Sequence, residues 1–291
     1  PDYAALVPGP LPRFAALPPR PRDPLGPPSG LPFAGASNAW AAGVSRTGSG
    51  STLLASDPHL PLSAPGLFYL ARVELSSGGV IGGTIPGIPA VLSGRSADLG
   101  WGITSSWVDD LDVYAEEVNP QDAGQYRTPD GWAAFETRDS IIQIAGAPAE
   151  TLRLQWTENG PVLGPDDFGL GLVRPPGHVM AVRWTALSDR DTTMTAAMAI
   201  MRAANVEDAV EAARLFVAPS QNLVLADRNR VAMVTMGALP LRDPAHASQG
   251  RMPTLGWVAA NRWLGVKPPE ANPAWVDPPG GIVGNMNNKL L

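Results

Sequence analysis

At 291 residues, 44% of them hydrophobic and 16% charged, the chain has the composition of an ordinary globular protein, long enough for one large domain or two small ones. A net charge of -6, with no local cluster of lysine and arginine to offset it, argues against nucleic acid as the partner. Cysteine is absent, which removes thiol catalysis, cysteine metal sites and disulfides together.

Residues 1–36 hold eleven of the 32 prolines, in runs such as LPPRPRDPLGPP, a density that opposes both helix and sheet ladder. This part reads as an extended linker; a proline-rich ligand for a partner domain is the alternative. It contains no uninterrupted apolar stretch of the signal-peptide kind, and no part of the chain approaches the length of a membrane span. From Asn38 onward the pattern is mostly strands. Runs such as NAWAAGV, STLLAS, LFYLARVEL, GGVIGGTIPG, LGWGITSS and LDVYAEEV are bounded by Gly, Pro, Ser and Asp. SIIQIAG, TLRLQW, HVMAVRWTAL, TTMTAAMAIM, NLVLAD and RVAMVTMG extend the strand pattern. One helix is expected after Asn205. That residue is a good N-cap, Glu207 and Asp208 favour the first turn, and Val206, Val210, Ala213 and Phe216 or Val217 form an apolar stripe ending before Pro219. No fixed-period repeat is present, so a repeat-based binding module is not supported.

Chemistry is concentrated between Gly35 and Leu60, where Ser37-Asn38-Ala39-Trp40 precedes Asp57-Pro58-His59-Leu60, with His59 22 residues after Ser37. A serine hydroxyl is a weak nucleophile that needs a base within reach and donors aimed at the developing oxyanion. A serine at a chain terminus carries its own base, because a free α-amino group has a pKa of about 7.7 to 8. Here that amine would exist only after the Ala36-Ser37 bond is broken. Attack of the serine hydroxyl on the Ala36 carbonyl, through an ester that water opens, would break it, and the small run Ala34-Gly35-Ala36 leaves the carbonyl accessible. Zinc hydrolysis is not indicated, since His59, His178 and His246 are far apart and no HExxH spacing occurs. The nucleophile-elbow pattern is met only by the unframed run at Gly48-Ser49-Gly50-Ser51.

The Ser-Asn-x-Trp and Asp-Pro-His-Leu segments resemble the start of the catalytic chain in the penicillin acylase family of N-terminal nucleophile hydrolases. The resemblance implies an α+β fold, the four-layer αββα sandwich, strand-rich in this fragment. It implies that 1–36 is a spacer or small-chain tail ahead of a self-cleavage site between Ala36 and Ser37. Residues 37–291 would then be the N-terminal part of the large chain, lacking the helical small chain and the later part of the large one. Ser37 would be the nucleophile, with His59 tuning its basicity. Trp101-Gly102-Ile103-Thr104-Ser105 resembles the family's WGxT motif and implies an oxyanion donor at the Ser105 N–H. Gln221-Asn222-Leu223 through Ala226-Asp227 implies a second donor at the Asn222 amide, and Arg242, after Gly-Ala-x-Pro, an arginine that orders the nucleophile region. Apolar Leu60 and Ile103 stand beside these positions and are expected to line an acyl pocket.

The turn Asp109-Asp110-Leu111-Asp112 resembles the calcium site of penicillin G acylases, with Asp109, Asp112 and the Leu111 carbonyl as ligands; a solvated acidic turn is the competing reading. The ion would be structural, and no catalytic cofactor is expected. The resemblance implies periplasmic or secreted location and a self-processing amidase that cleaves the N-acyl bond of a small molecule, a β-lactam, an acyl-homoserine lactone or similar. A non-catalytic β-rich binding module and an inactive scaffold of the same fold are the alternatives.

Overall fold

A computed structural model describes residues 37–60, 64–164 and 167–290. The spacer expected at 1–36, and with it Ala36, lies outside the described residues. The chain divides into two compact units, one formed by Leu111–Trp184 and Pro240–Val266, the other containing 37–110, Thr185–Leu239 and 267–290. The segment expected to be one large-chain part is therefore itself bipartite.

The unit that contains Ser37 is built in layers. Its main sheet runs β19 (Ala274–Val276), β15 (Val231–Met236), β14 (Gln221–Asp227), β6 (Leu99–Ser105), β5 (Ser93–Arg95), β4 (Gly78–Thr84) and β3 (Tyr69–Leu75). A smaller sheet has the order β2 (Leu53–Pro58), β1 (Ser37–Ala42) and β20 (Ile282–Asn285). Strands β14 and β15 are apolar on both faces, as strands covered on both sides must be. Leu223, Leu225, Ala232, Val234 and Met236 face α1 (Thr193–Ile200) and α2 (Val206–Ala213), whereas Val224, Ala226, Val231 and Met233 face Ala39, Ala41 and Val283 of the smaller sheet. Each fully buried large side chain contributes about 1.5–3 kcal/mol to this stack. The order is helices, sheet, sheet.

In β6 large residues alternate with glycine, so Leu99 and Trp101 pack toward the helices while Gly100 and Gly102 leave the other face bare. A Cβ on Gly102 would lie 2.5 Å from Ser56 Cβ, so the missing side chain lets β1 and β2 approach the main sheet closely.

The run TTMTAAMAIM departs from expectation: it forms helix α1 rather than a strand. Its threonines and methionines imitate a strand, but Thr193, Ala196, Ala197 and Ile200 are buried at i, i+3, i+4 and i+7, the spacing of one helical face. Helix α2 starts where expected, with Asn205 Oδ1 accepting the Asp208 N–H at 2.8 Å.

The second unit is one sheet in the order β10 (Glu136–Ile142), β11 (Glu150–Thr157), β12 (Gly160–Leu163), β13 (His178–Trp184), β7 (Leu111–Asn119), β8 (Asp122–Thr128) and β9 (Gly131–Ala134). Strand β17 (Thr254–Leu255) pairs parallel to β7, and β16 (Pro240–Arg242) with β18 (Trp263–Val266) makes a separate ribbon. Strand β7 buries Asp112, Tyr114 and Glu116, a polar face at i, i+2 and i+4.

Candidate active site

Ser37 is the first residue of β1 and stands opposite Pro58 of β2, so hairpin register alone brings His59 within one residue of its cross-strand neighbour. The same face of the stack carries Thr104, opposite Asn222, which in turn is opposite Thr235. The closest partner of the serine comes from the end of the chain. The Ser37 N–H donates to Asn287 Oδ1, and Asn287 Nδ2 donates to the Ser105 carbonyl at 3.2 Å. A donor on one side and an acceptor on the other fix the orientation of this carboxamide. Asn287 has a φ of 64°, a left-handed conformation that asparagine tolerates better than most residues. Its backbone N–H donates to Asn285 Oδ1 at 2.7 Å, and Thr104 Oγ1 donates to the same oxygen at 3.1 Å.

Asn222, expected as the second oxyanion donor, faces Thr104 and Thr235. It is fully buried; its Nδ2 donates to Thr104 Oγ1 at 3.3 Å and to the Ser105 carbonyl at 3.4 Å, and its Oδ1 accepts from Thr235 Oγ1 at 2.8 Å. The two Nδ2 contacts are long, so they turn the amide toward Thr104 and the Ser105 carbonyl. The buried side chains of Thr235, Asn222, Thr104 and Asn285 thus form one relay of neutral groups, continued through the backbone N–H of half-buried Asn287, whose carboxamide meets Ser37.

His59 is half exposed. Its Nε2 lies 2.9 Å from Asp57 Oδ2, and among the described residues this is its hydrogen-bond partner. The bond to His59, with a weaker one from Asn38, holds the Asp57 carboxyl below the usual carboxylate range. The Asp57-His59 pair is therefore oriented, with its direct bond inside the pair rather than to Ser37.

Beside Ser37, between α1 and the main sheet, is a cavity of about 310 Å³. Leu60, Ile103, Trp101, Ala197 and Leu223 contribute to its lining, with Ser37, Thr104, Ser105 and Gln221 among its polar residues; no ionisable side chain lines it among the described residues. Trp101 keeps the wall apolar by donating its indole N–H to the Val91 carbonyl at 3.0 Å. Leu60 and Ile103 are thus placed together with Ser37 and Ser105.

The other residues singled out from the sequence have partners of their own. Arg242 belongs to the second unit and is bound to Asp112, with Nη2 at 2.6 Å from Oδ1 and Nε at 3.0 Å from Oδ2. Leu111 is a strand residue opposite Trp184. Asp109 Oδ2 accepts from Lys289 Nζ at 2.9 Å. The two acidic side chains expected to hold calcium are each already answered by a cation of the chain, and no group of three or more His, Cys, Asp or Glu suited to a metal occurs among the described residues. At buried Asp112, whose carboxylate is met by a guanidinium and an indole N–H, the donor set does not fit a calcium ion.

Ser37 thus opens a strand, a carboxamide meets its nitrogen and an apolar cavity lies beside it, all on a strand-rich α+β fold. The chain matches the family model described as penicillin amidase over residues 3–291, and it belongs to that family. It is 30% identical over 265 residues to the acyl-homoserine lactone acylase QuiP of Pseudomonas aeruginosa, covering 88% of this chain and 30% of that protein. It is 26% identical to the penicillin acylase 2 proenzyme of a Pseudomonas species, over 88% of this chain and 32% of that protein. Among solved structures it resembles a thermostable penicillin G acylase from Alcaligenes faecalis, with a TM-score of 0.76 and 27% identity over 87% of this chain and 44% of that one. The chain thus spans about a third of the length of these curated relatives.

Proposed function

We propose that the protein of which this chain is part is a self-processing amidohydrolase that cleaves the N-acyl bond of a small molecule through an acyl-serine intermediate on Ser37. The observation that carries the reading is the position of Ser37, held by the Asn287 carboxamide at the mouth of an apolar cavity. Family membership and a relative named a proenzyme support it.

In the chain as written Ser37 is still acylated by Ala36, so its nitrogen is an amide and cannot act as a base. Cleavage of the Ala36-Ser37 bond, by attack of the Ser37 hydroxyl on the Ala36 carbonyl and hydrolysis of the resulting ester, turns that nitrogen into an amine. The Asn287 Oδ1 that accepts the amide N–H then accepts from the amine and orients its lone pair toward the hydroxyl. Attack on the substrate carbonyl gives a tetrahedral oxyanion. Asn287 Nδ2 has two hydrogens, one given to the Ser105 carbonyl, and the second is the donor assigned to the oxyanion beside the Ser105 N–H. Asn222, turned toward Thr104 and the Ser105 carbonyl, holds both in place in this reading. The protonated amine gives its proton to the leaving nitrogen, the amine product departs, and water repeats the sequence to release the acid. The Asp57-His59 pair acts at the rim, where it sets the field around the amine.

The cavity takes the acyl group. About 310 Å³ is roughly twice the ~150 Å³ of an engineered cavity that holds benzene, and its lining is uncharged, so an aryl-acetyl or medium aliphatic group fits and a charged one does not. Penicillins and acyl-homoserine lactones, the compounds in the relatives' names, both carry such groups. An exported location and a helical small chain as partner belong to the same proposal. The test is hydrolysis of chromogenic N-acyl substrates by the complete protein. Aryl-acetyl and aliphatic amides should turn over, a carboxylate-bearing acyl group should not, and Ser37→Ala should abolish turnover. Ala197→Leu, which narrows the cavity, should lower kcat/KM for the larger acyl groups more than for the smaller. Inactivity across the panel would leave the inactive scaffold as the reading.

A further inference from the structure

We propose that Arg242 supplies, from within the chain, the positive charge that a calcium ion would otherwise bring to Asp112, so that this aspartate takes no divalent cation. Asp112 is 2% exposed, and both of its oxygens are met by donors. Arg242 Nε lies 3.2 Å from Oδ1 and 3.0 Å from Oδ2, and Nη2 lies 2.6 Å from Oδ1. The Trp263 indole N–H donates to Oδ2 at 2.7 Å. His246, fully buried in its side chain, places Nε2 3.4 Å from the same oxygen. Its proton position follows from the other ring nitrogen. Nδ1 accepts the backbone N–H of Ser248 at 3.3 Å and of Gln249 at 3.0 Å, so the hydrogen is on Nε2, which stands near the carboxylate without a hydrogen bond to it. Every group that surrounds Asp112 in this way presents the positive end of an N–H.

The backbone closes what space is left. Strands β16 and β18 pair so that Arg242 is opposite Trp263, which fixes both donors on one ribbon, and the guanidinium lies 5.9 Å from the indole ring centre. Gly250 has a φ of +85°, and a Cβ there would sit 2.7 Å from Asp112 Oδ1 and 2.6 Å from Arg242 Nη2. Calcium binds through six to eight oxygens. Around Asp112 a cation would instead meet a guanidinium, an indole N–H and an imidazole N–H. An arginine, unlike a bound ion, also cannot be removed by a chelator or by dilution.

The experiment compares the complete protein with two variants, Asp112→Asn and the double substitution Asp112→Asn with Arg242→Met, which removes both charges. Thermal unfolding is followed in EGTA and in millimolar calcium chloride. The expected result is the same calcium response, including none, in all three proteins. A calcium-dependent rise in the midpoint that is present in the wild type and lost on substitution of Asp112 overturns the proposal. The Arg242→Met single variant completes a cycle read without calcium. The double variant should lose less than the two single losses summed, and strict additivity would show that the two residues do not answer one another. If Asp112→Asn alone does not fold, the calcium comparison stands on the double variant.

Discussion

Around Ser37 the buried polar groups are neutral, a relay of hydroxyls and carboxamides from Thr235 through Asn222, Thr104 and Asn285 to half-buried Asn287. Around Asp112, in the other unit, they are an aspartate met by an arginine, an indole and an imidazole. Neutral amides accept and donate at once, so such a relay can orient a group and still leave a hydrogen for a substrate. A carboxylate surrounded by donors is saturated, and it holds its surroundings still without offering anything further. The contrast separates a site from a staple by what remains to be bonded.

Breaking the charged cluster should have the larger effect on stability. Asp112→Asn leaves the Arg242 guanidinium buried without its counter-charge, and about 3–5 kcal/mol of unfolding free energy should be lost, measurable by denaturant titration. Turnover by whatever enzyme still folds should change far less. The neutral relay should behave in the opposite way. Asn287→Ala should lower kcat by about 10²–10³, equivalent to about 2.7–4 kcal/mol of transition-state stabilisation, with a small change in stability. Asn222→Ala should cost about 1–3 kcal/mol of stability, because Thr235, Thr104 and the Ser105 carbonyl lose a partner, and should lower kcat less than Asn287→Ala does. If the kinetic effects of the two asparagines were reversed, Asn222 would be the donor and the assignment made here would be wrong.

The smallest effect concerns Glu116, on the same buried face of β7. Burial pushes its carboxyl above the usual range, against the hydrogen bonds donated to Oε1 by Asn159 at 2.8 Å and Thr157 at 2.9 Å. In the unfolded chain it ionises at its ordinary pKa, so the folded state holds more protons above that value. Stability contributed here falls as pH rises from the unfolded pKa through the folded one. Glu116→Gln keeps both acceptor bonds and carries no charge. It should flatten that slope, leaving stability unchanged near pH 4 and equal or higher near pH 8 in parallel denaturation curves.

Much of the scaffold was legible because its physics is local. The apolar runs NLVLAD and RVAMVTMG read as strands, and Asn205 with its acidic first turn announced α2. Leu60 and Ile103 were legible as wall residues because they are apolar neighbours of a recognisable motif. Helix α1 was misread because a short helix rich in threonine and methionine lacks the length by which helix and strand are told apart. The contacts of Asn287 were out of reach for another reason. It meets Ser37 across 250 residues, through a left-handed turn that no local pattern encodes; its only trace was the asparagine-rich run Asn285-Met286-Asn287-Asn288. Strand β7 hid its polar face in the same way. Alternation in LDVYAEEV normally puts the apolar residues inside, and only the partners from 240–266 explain why Asp112 and Tyr114 are buried instead.

The central claim is that Ser37 becomes a chain terminus with its own amine, and intact-mass analysis of the full-length precursor tests it most directly. The wild type should yield a chain whose mass and first residue correspond to Ser37, and Ser37→Ala should remain uncut. A wild-type precursor that stays whole under conditions where the protein is folded, or a Ser37→Ala variant that is cut at the same bond, would contradict the account.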